Sequence, residues 1–395
     1  MATKTELWGD CHNHSTFSDG MMTVAEMARY YEAFGNDFRL QTDHLAVGLP
    51  DGKPSRKWLH AADWPEYCAA CRQVSTDKHL CIPGVEVIWD IPGPVAKEWS
   101  HLKLHPGPGQ GFPDESFFSA MTFPKMLHAS KLVGLRPIIA HADQKAPLET
   151  LSGEEICGLE LRADIEETRP LLGRESLKHW DRMLTAGHRI SLSSGSDAHQ
   201  PDLWAGSGMR TVLVDTPREP EAIVQAIVAG RSYLSATWHP DCYAAAGWPE
   251  HDNPVAGGKT HMTPWWDFKI HPELRDKPPR ELIEDIFQRA LKDGRCRRED
   301  FPALTTFAIN DVSAGGEVRA GKCEVKIEWR THRPVRTLRL ISAGAALKEF
   351  APAGQSASAS LDLTPGTYVR LELEAFDPVK PDERETILSN PIYAI

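Results

Sequence analysis

Residues 7–44, LWGDCHNHSTFSDGMMTVAEMARYYEAFGNDFRLQTDH, hold a short apolar run, a helical stretch and a second short run. Thr23 and Glu26 stand at capping-box spacing, and Gly35 closes the stretch. Val24, Met27, Ala28 and Tyr31 fall at i, i+3, i+4 and i+7, one apolar stripe to lay on a sheet. Strand, helix, strand in this order is a βαβ unit, and its repetition implies a parallel sheet.

The repetition is there. LWGDCH, FRLQTDH, IPGVEVIW, PIIAHAD, CGLELRAD, RISLSSGSDAH and RTVLVDT are short runs bounded by Gly, Pro or Asp, as buried strands are. RESLKHWDRMLTAG and REPEAIVQAIVAG are helical between them, each stopped by glycine. Seven strands predict an α/β fold, a (β/α) barrel over residues 1–240 in preference to an open sheet. Residues 241–302 are a Pro- and Trp-rich connector with one helix, PPRELIEDIFQRALKDG. Residues 303–395 alternate with period two between Gly/Pro turns, which predicts a smaller all-β, sandwich-like domain.

The chain carries 44 Lys plus Arg against 55 Asp plus Glu, a net charge of −11. It lacks the basic balance that nucleic-acid binding needs, so nucleic acid is not expected as a partner. A small anionic substrate stays open, because bound cations reverse the local field. No apolar run approaches the roughly 20 residues of a spanning helix. The opening MATKTELWGD has no secretory core, so a cytoplasmic protein without a membrane partner is expected. A homo-oligomer stays open. Cys68 and Cys71 form a C-x-x-C with no second pair at zinc-ribbon spacing, and read as reduced thiols.

Polar groups collect at the strand ends. The first run ends in Asp10, His12 and His14, and the second in Asp43 and His44. The third carries Glu86, the fourth His141 and Asp143, and the sixth Asp197 and His199. One H-x-H pair means little, since 17 histidines in 395 residues would produce about 0.7 by chance. Five strands ending alike is another matter, because the C-terminal strand ends of a barrel meet on one face. Alternation puts Asp10, His12 and His14 on one side of the first strand and Cys11 on the other. So many ionisable groups buried together call for a cation.

In this order and at these separations, DCHNHSTFSDG, TDH, GVEV, AHAD and GSDAH resemble the motifs of the PHP (polymerase and histidinol phosphatase) superfamily, across roughly residues 7–235. GSGMRTVLVDT, AIVAGRSYLS and the closing SNPIYAI are most similar to its CehA/McbA-like branch. The resemblance implies a distorted (β/α)7 barrel and nine metal ligands. These are His12, His14, Asp19, His44, Glu86, His141, Asp197, His199 and a histidine after the glutamate. WSHLKLHPGPG offers His101 and His105 for that last place, and His101 is preferred for its distance from Glu86. The resemblance assigns His12, His14, Glu86 and Asp197 to a first ion. Glu86, His101 and His141 would hold a second, and Asp19, His44 and His199 a third. Asp10 and Asp43 either accept a second ring N–H from these histidines or cap strand ends.

Imidazole and carboxylate ligands suit two or three divalent ions of Zn, Mn or Fe. Such a cluster implies hydrolysis by a bridging hydroxide, with Glu86, Asp197 and His199 acting through the ions. A phosphate mono- or diester of a small molecule matches several cations best. A carboxyl ester or carbamate is the alternative, and Trp89, Trp99, Trp204 and Trp238 would suit an aromatic pocket for it. A non-catalytic scaffold is disfavoured, because all nine ligand positions are filled. Arg210, Arg162, and Lys103 or Lys145 are candidates for holding substrate, although ordinary strand-edge residues would look the same. Alanine after the histidine of AHAD, where many relatives have proline, bears on substrate preference.

Overall fold

A computed structural model of the chain describes residues 5–45, 59–90, 99–107, 110–112, 117, 123–140, 153, 155–162, 172, 174–199, 208–238, 281, 284, 287–288, 292, 297–352 and 354–395. It begins with β1 (Glu6–Asp10), α1 (Val24–Ala33), β2 (Phe38–Gln41) and β3 (His44–Leu45). The expected cap of α1 is present: Thr23 N donates to Glu26 Oε2 at 2.8 Å, and Glu26 N donates to Thr23 Oγ1 at 3.2 Å. Its buried face is Val24, Met27, Ala28, Tyr30 and Tyr31.

Next come α2 (Trp64–Val74), β4 (Leu80–Pro83), β5 (Val85–Asp90), β6 (Trp99–His105), α3 (Phe123–Leu132) and β7 (Arg136–Ala140). They are followed by β8 (Gly158–Arg162), α4 (Glu175–Thr185), β9 (Ser191–Gly195), β10 (Met209–Val214), α5 (Pro220–Val228) and β11 (Ser232–Trp238). Cys68 and Cys71 are free thiols on α2. Of the helix expected over 278–294, Glu281, Glu284, Phe287, Gln288 and Lys292 are described and helical; the rest of the connector lies outside the described residues.

Parallel pairing joins β1 to β2, β2 to β4, β3 to β5, β7 to β8 and β8 to β9. Two sheets result, and the chain links them: β2 runs on into β3, and β4 into β5. At the far side β9 lies beside the end of β1. Cys11 N donates to Ser194 O at 3.2 Å, Asp197 N donates to His12 O at 2.8 Å, and Asn13 bridges Ala198.

Uniform strand–helix alternation fails in two places. β6, which the sequence reading missed as a strand, runs antiparallel to both β5 and β7. Only residues 91–98 separate it from β5, fewer than the dozen or so that a parallel crossover needs. The seventh expected strand, β10, is antiparallel to β1 and leads outward to β11. Seven passes of chain still run from β1 to β9, with β6 counted in and β10 out.

The strand pleat then sorts the side chains. Val85, Val87, Leu102, Leu104, Leu159 and Leu161 join one apolar cluster with Trp64, Tyr67, Leu127 and Trp180 from the helices. Glu86, Lys103 and Glu160 alternate with them and face the other way, fully buried.

The C-terminal region contains β12 (Ala303–Ile309), β13 (Val312–Ser313), β14 (Glu317–Val318), β15 (Gly321–Arg330) and β16 (Val335–Ser342). It continues with β17 (Ala345–Glu349), β18 (Ser356–Leu363), β19 (Tyr368–Asp377), β20 (Lys380–Ser389) and β21 (Ile392–Ala394). Along β15, buried Cys323, Val325, Ile327 and Trp329 alternate with exposed Lys322, Glu324, Lys326 and Glu328. These residues share an apolar cluster with Leu340, Leu371, Leu373 and Ile387 of the facing sheet. Trp8, Val212 and Tyr233 complete that cluster from β1, β10 and β11.

This region is therefore sewn to the first. β20 pairs with β11 from Tyr233↔Ser389 to Trp238↔Arg384. Asn390 mimics a strand residue toward β9, accepting from Leu192 N at 2.7 Å and donating to Leu192 O at 2.9 Å. Buried Arg370 grips Asp181 of α4 through Nε at 2.8 Å and Nη2 at 2.6 Å, and Tyr368 Oη donates to the same carboxylate at 2.7 Å. No helix among the described residues is long and apolar enough to cross a membrane.

Two stability predictions follow from these contacts. Asp181→Ala leaves a buried guanidinium with Glu372 as its remaining partner, and the expected cost is about 3 kcal/mol in urea unfolding. An unchanged midpoint would show that the Asp181 grip contributes nothing. The second concerns His79, which is fully buried; Nδ1–H donates to Asn36 O at 2.8 Å and Nε2 has no hydrogen-bond partner. Burial, then the Arg39 guanidinium, push it down to about 3 from 6.5. The unfolded chain takes up that proton first, so stability falls as pH drops from about 6.5 towards 3, by about 2 kcal/mol at pH 5. In chelator-treated protein, His79→Gln should remove that share of the fall between pH 7 and pH 5. Equal falls in the two proteins would contradict it.

Candidate metal centre

The site grows from the segment after β1. Asp10 Oδ1 accepts from His12 N at 2.8 Å and from Ser196 N at 3.1 Å, while Tyr31 Oη donates to Oδ2 at 3.0 Å. Asp43 accepts from Ser15 N at 2.7 Å, Ser15 Oγ at 2.8 Å, Ser18 Oγ at 2.7 Å and Gln41 Nε2 at 2.9 Å. Both carboxylates thus hold the backbone and hydroxyls of the histidine-bearing loop. Among the described residues no histidine ring N–H reaches either of them, although that was one of the two roles expected. Asp10 is pushed up by its burial.

Glycines allow the crowding. A Cβ on Gly195 would meet His12 Cβ at 2.2 Å, and one on Gly20 would meet His14 O at 2.2 Å. Asp197 takes the left-handed backbone at φ 53°, tolerable for Asp and seen where a site dictates the geometry.

His12, His14, Glu86 and Asp197 come together. His12 Nε2 lies 3.1 Å from His14 Nε2, 3.2 Å from Glu86 Oε2 and 3.3 Å from Asp197 Oδ1. His14 Nε2 lies 2.9 Å from Asp197 Oδ1 and 3.3 Å from Glu86 Oε2. Four donors bonded to one tetrahedral ion at roughly 2.0–2.1 Å stand about 3.3 Å apart, which these spacings approach.

A second group is His14, Asp19, His44 and His199, so His14 is common to both. Asp19 Oδ1 is 3.3 Å from His199 Nε2 and 3.6 Å from His44 Nε2. His44 Nδ1 reaches back to Glu86 Oε2 at 3.0 Å. His199 Nδ1–H donates to Asp197 O at 2.8 Å, which leaves Nε2 for Asp19 or an ion.

The electrostatics match a cation site. Burial pushes the Glu86 carboxyl up, but His12, His101 and His44 reverse this and hold it well below the usual carboxylate range. Burial pushes His12 down, yet Glu86, Glu160 and Asp197 bring it up to about 9. Burial and then His14 lower His44 to about 4.

Of the two histidines on β6, His101 meets Glu86, Nδ1 to Oε1 at 2.8 Å. His105 lies four residues further along the strand, buried, and burial pushes it down to about 3. His141, Asp143 and Lys145 fall outside the described residues, as does Trp204. The backbone of Arg162 ends β8, but its side chain and those of Trp89, Trp99 and Trp238 are not described.

Two proposed substrate contacts are corrected. Arg210 is 2% exposed, with its guanidinium 5.0 Å from the centroid of the buried Phe301 ring. Lys103 is fully buried, ion-paired with Glu160 and donating to Cys11 O at 2.9 Å. Both side chains are buried, Arg210 on the Phe301 ring and Lys103 on Glu160, so neither waits at an open mouth for substrate. Cys11 faces away, as expected, among Leu7, Phe38 and Leu40. Burial pushes its thiol up to about 12.

Sequence reading missed Glu160, whose Oε1 and Oε2 lie 3.0 and 3.2 Å from His12 Nδ1. The signal was available: a lone carboxylate between Leu159 and Leu161 on a buried strand.

No protein-family model and no curated protein matches the chain. Among solved structures it is similar to a two-domain protein containing a predicted PHP-like metal-dependent phosphoesterase from Bacteroides vulgatus. Identity is 15% and the TM-score 0.43, over 98% of this chain and 96% of that one. It is also similar to a candidate metal-dependent phosphoesterase from Bifidobacterium adolescentis and to an amidohydrolase from Chromobacterium violaceum with bound sulfate and no metal. Each of these is 15% identical over 48% of this chain and 87% of the other, with TM-scores of 0.30 and 0.32.

The two groups share only His14, so Asp19→Ala should remove one component of ion uptake and spare the other. Titration with Mn²⁺ or Zn²⁺ followed by elemental analysis checks this. Loss of both components, or of neither, would contradict two separable groups.

Proposed function

We propose that this chain is a metal-dependent hydrolase of the PHP type, acting on phosphate mono- or diesters of small molecules. The observation that carries the proposal is the meeting of two His/carboxylate groups at His14, with donor spacings suited to ions. In this reading the seven passes from β1 to β9 form a strongly distorted barrel, and its C-terminal strand ends bear the site. The CehA/McbA-like placing draws on AIVAGRSYLS and SNPIYAI, segments that meet through Asn390 Nδ2 and Ser232 O at 3.3 Å and through the β11–β20 pairing.

The donor set fits two or three divalent ions such as Zn, Mn or Fe. His12, His14, Glu86 and Asp197 would hold one, and Asp19, His44 and His199, with His14 beside them, another. His101 would join through Glu86. Bound divalent ions would lower the pKa of water and share charge developing on a phosphoryl group.

The chain's own residues prepare for this. Glu86 and Asp197 bring negative charge to the centre of the site. His199 is oriented by the Asp197 carbonyl and is 27% exposed at its side chain, so of the described groups it stands nearest to solvent and to an arriving ester. Asp10, Asp43 and the glycines keep the loop from relaxing outward.

The test is a panel of p-nitrophenyl phosphate, bis(p-nitrophenyl) phosphate and p-nitrophenyl acetate, assayed with Mn²⁺ and Zn²⁺. Turnover of a phosphate ester that chelation abolishes and metal restores is expected. Activity on the acetate alone would replace the phosphoesterase reading with a carboxyl-ester one, and no activity in any arm would overturn both.

A further inference from the structure

We propose that Glu160 and Lys103 are positioning residues that fix His12 as an Nε2 metal ligand, a carboxylate–histidine arrangement braced by a buried lysine. This rests on the metal-dependent reading above and goes beyond its ligand set.

His12 is held at every polar atom other than the one facing the cluster. Its N–H donates to Asp10 Oδ1 at 2.8 Å, and its carbonyl accepts from Asp197 N at 2.8 Å and from Ser196 Oγ at 3.1 Å. Both oxygens of Glu160 lie on Nδ1, at 3.0 and 3.2 Å. A carboxylate only accepts, so Nδ1 carries a proton toward Glu160, and Nε2 is the nitrogen left facing His14, Glu86 and Asp197, where an ion would displace its proton and take its lone pair.

Lys103 does two things at once. Its ammonium is ion-paired with Glu160, and it donates to the carbonyl of Cys11, the residue before His12, at 2.9 Å. One side chain therefore ties the orienting carboxylate to the backbone that carries the ligand. Neither Glu160 nor Lys103 has any exposed surface, so water cannot replace these contacts. The pair is net neutral and lets a carboxylate sit behind the ring without adding charge to the interior. The near absence of space is part of the device, because a Cβ on Gly195 would lie 3.1 Å from Glu160 Oε2 as well as on His12.

The experiment compares wild type, Glu160→Gln, the neutral double variant Glu160→Gln/Lys103→Met, and His12→Ala. Mn²⁺ and Zn²⁺ uptake is measured against a competing chelator, and melting is followed by circular dichroism on the metal-free proteins. The double variant guards against a single change that merely strands its partner's charge. Both Glu160 variants should weaken the uptake component assigned to His12 by about tenfold to a hundredfold. The component assigned to Asp19 should stay as in wild type, and the metal-free double variant should melt within a few degrees of wild type. A folded double variant with wild-type uptake overturns the positioning role, as does a loss of uptake matched by a collapse of the metal-free fold. If His12→Ala itself takes up metal like wild type, the metal-centre reading falls, and the inference with it. If His12→Ala loses a component and the Glu160 variants do not, only the inference falls.

Discussion

His12 Nε2 and His14 Nε2 face each other at 3.1 Å, with Glu86 and Asp197 oxygens within 3.3 Å of both. Lone pairs and negative charges this close repel unless protons or cations lie among them, and burial removes water as a remedy. The surrounding chain is organised to keep the four groups there all the same. Hydrogen bonds to Asp10 and Asp43 stop the loop after β1 from swinging away. Gly195 lets β9 approach until no side chain could stand between it and His12. The left-handed backbone at Asp197 aims its carboxylate inward.

The same constraint explains the strands. A polar centre inside a seven-pass run requires each strand to be polar on one side and apolar on the other. Leu102, Leu104, Leu159 and Leu161 meet the helices, while Lys103 and Glu160 meet each other on the opposite side. The second sheet system adds stiffness from behind. Its edge continues β10 and β11, and Trp8 of β1 is packed into its core. Asp181–Arg370 and Asn390–Leu192 pin it to α4 and β9, so the strands bearing the site rest against a second apolar core.

Much of the candidate site was legible because its imidazoles and carboxylates sit in short local motifs. The H-x-H, the SDG turn, the TDH and the SDAH each place side chains within a few residues of a strand end, where the pleat decides their side. The capping box of Thr23 and Glu26 was legible for the same reason. β6 was not, because its alternate residues Trp99, His101, Lys103 and His105 are polar or amphipathic and lack the apolar run that marks a buried strand. Its two leucines join the apolar cluster against the helices, while His101, Lys103 and His105 face the other side, the reverse of an ordinary surface strand. Arg210 and Lys103 stood as candidates for holding substrate because a sequence shows charge but not depth.

By itself the sequence determined the strand–helix alternation of the first region, the capped first helix and the motifs that carry imidazoles and carboxylates at strand ends. These follow from periods of two and about 3.6 residues and from caps and turns, all short-range. Tertiary structure alone decided that β6 runs antiparallel, that β10 leaves the run for β11 and β20, and that His101 rather than His105 meets Glu86. It alone paired His12 with Glu160, 148 residues away. Such pairings depend on which strands become neighbours, and that is settled by the packing of the whole chain.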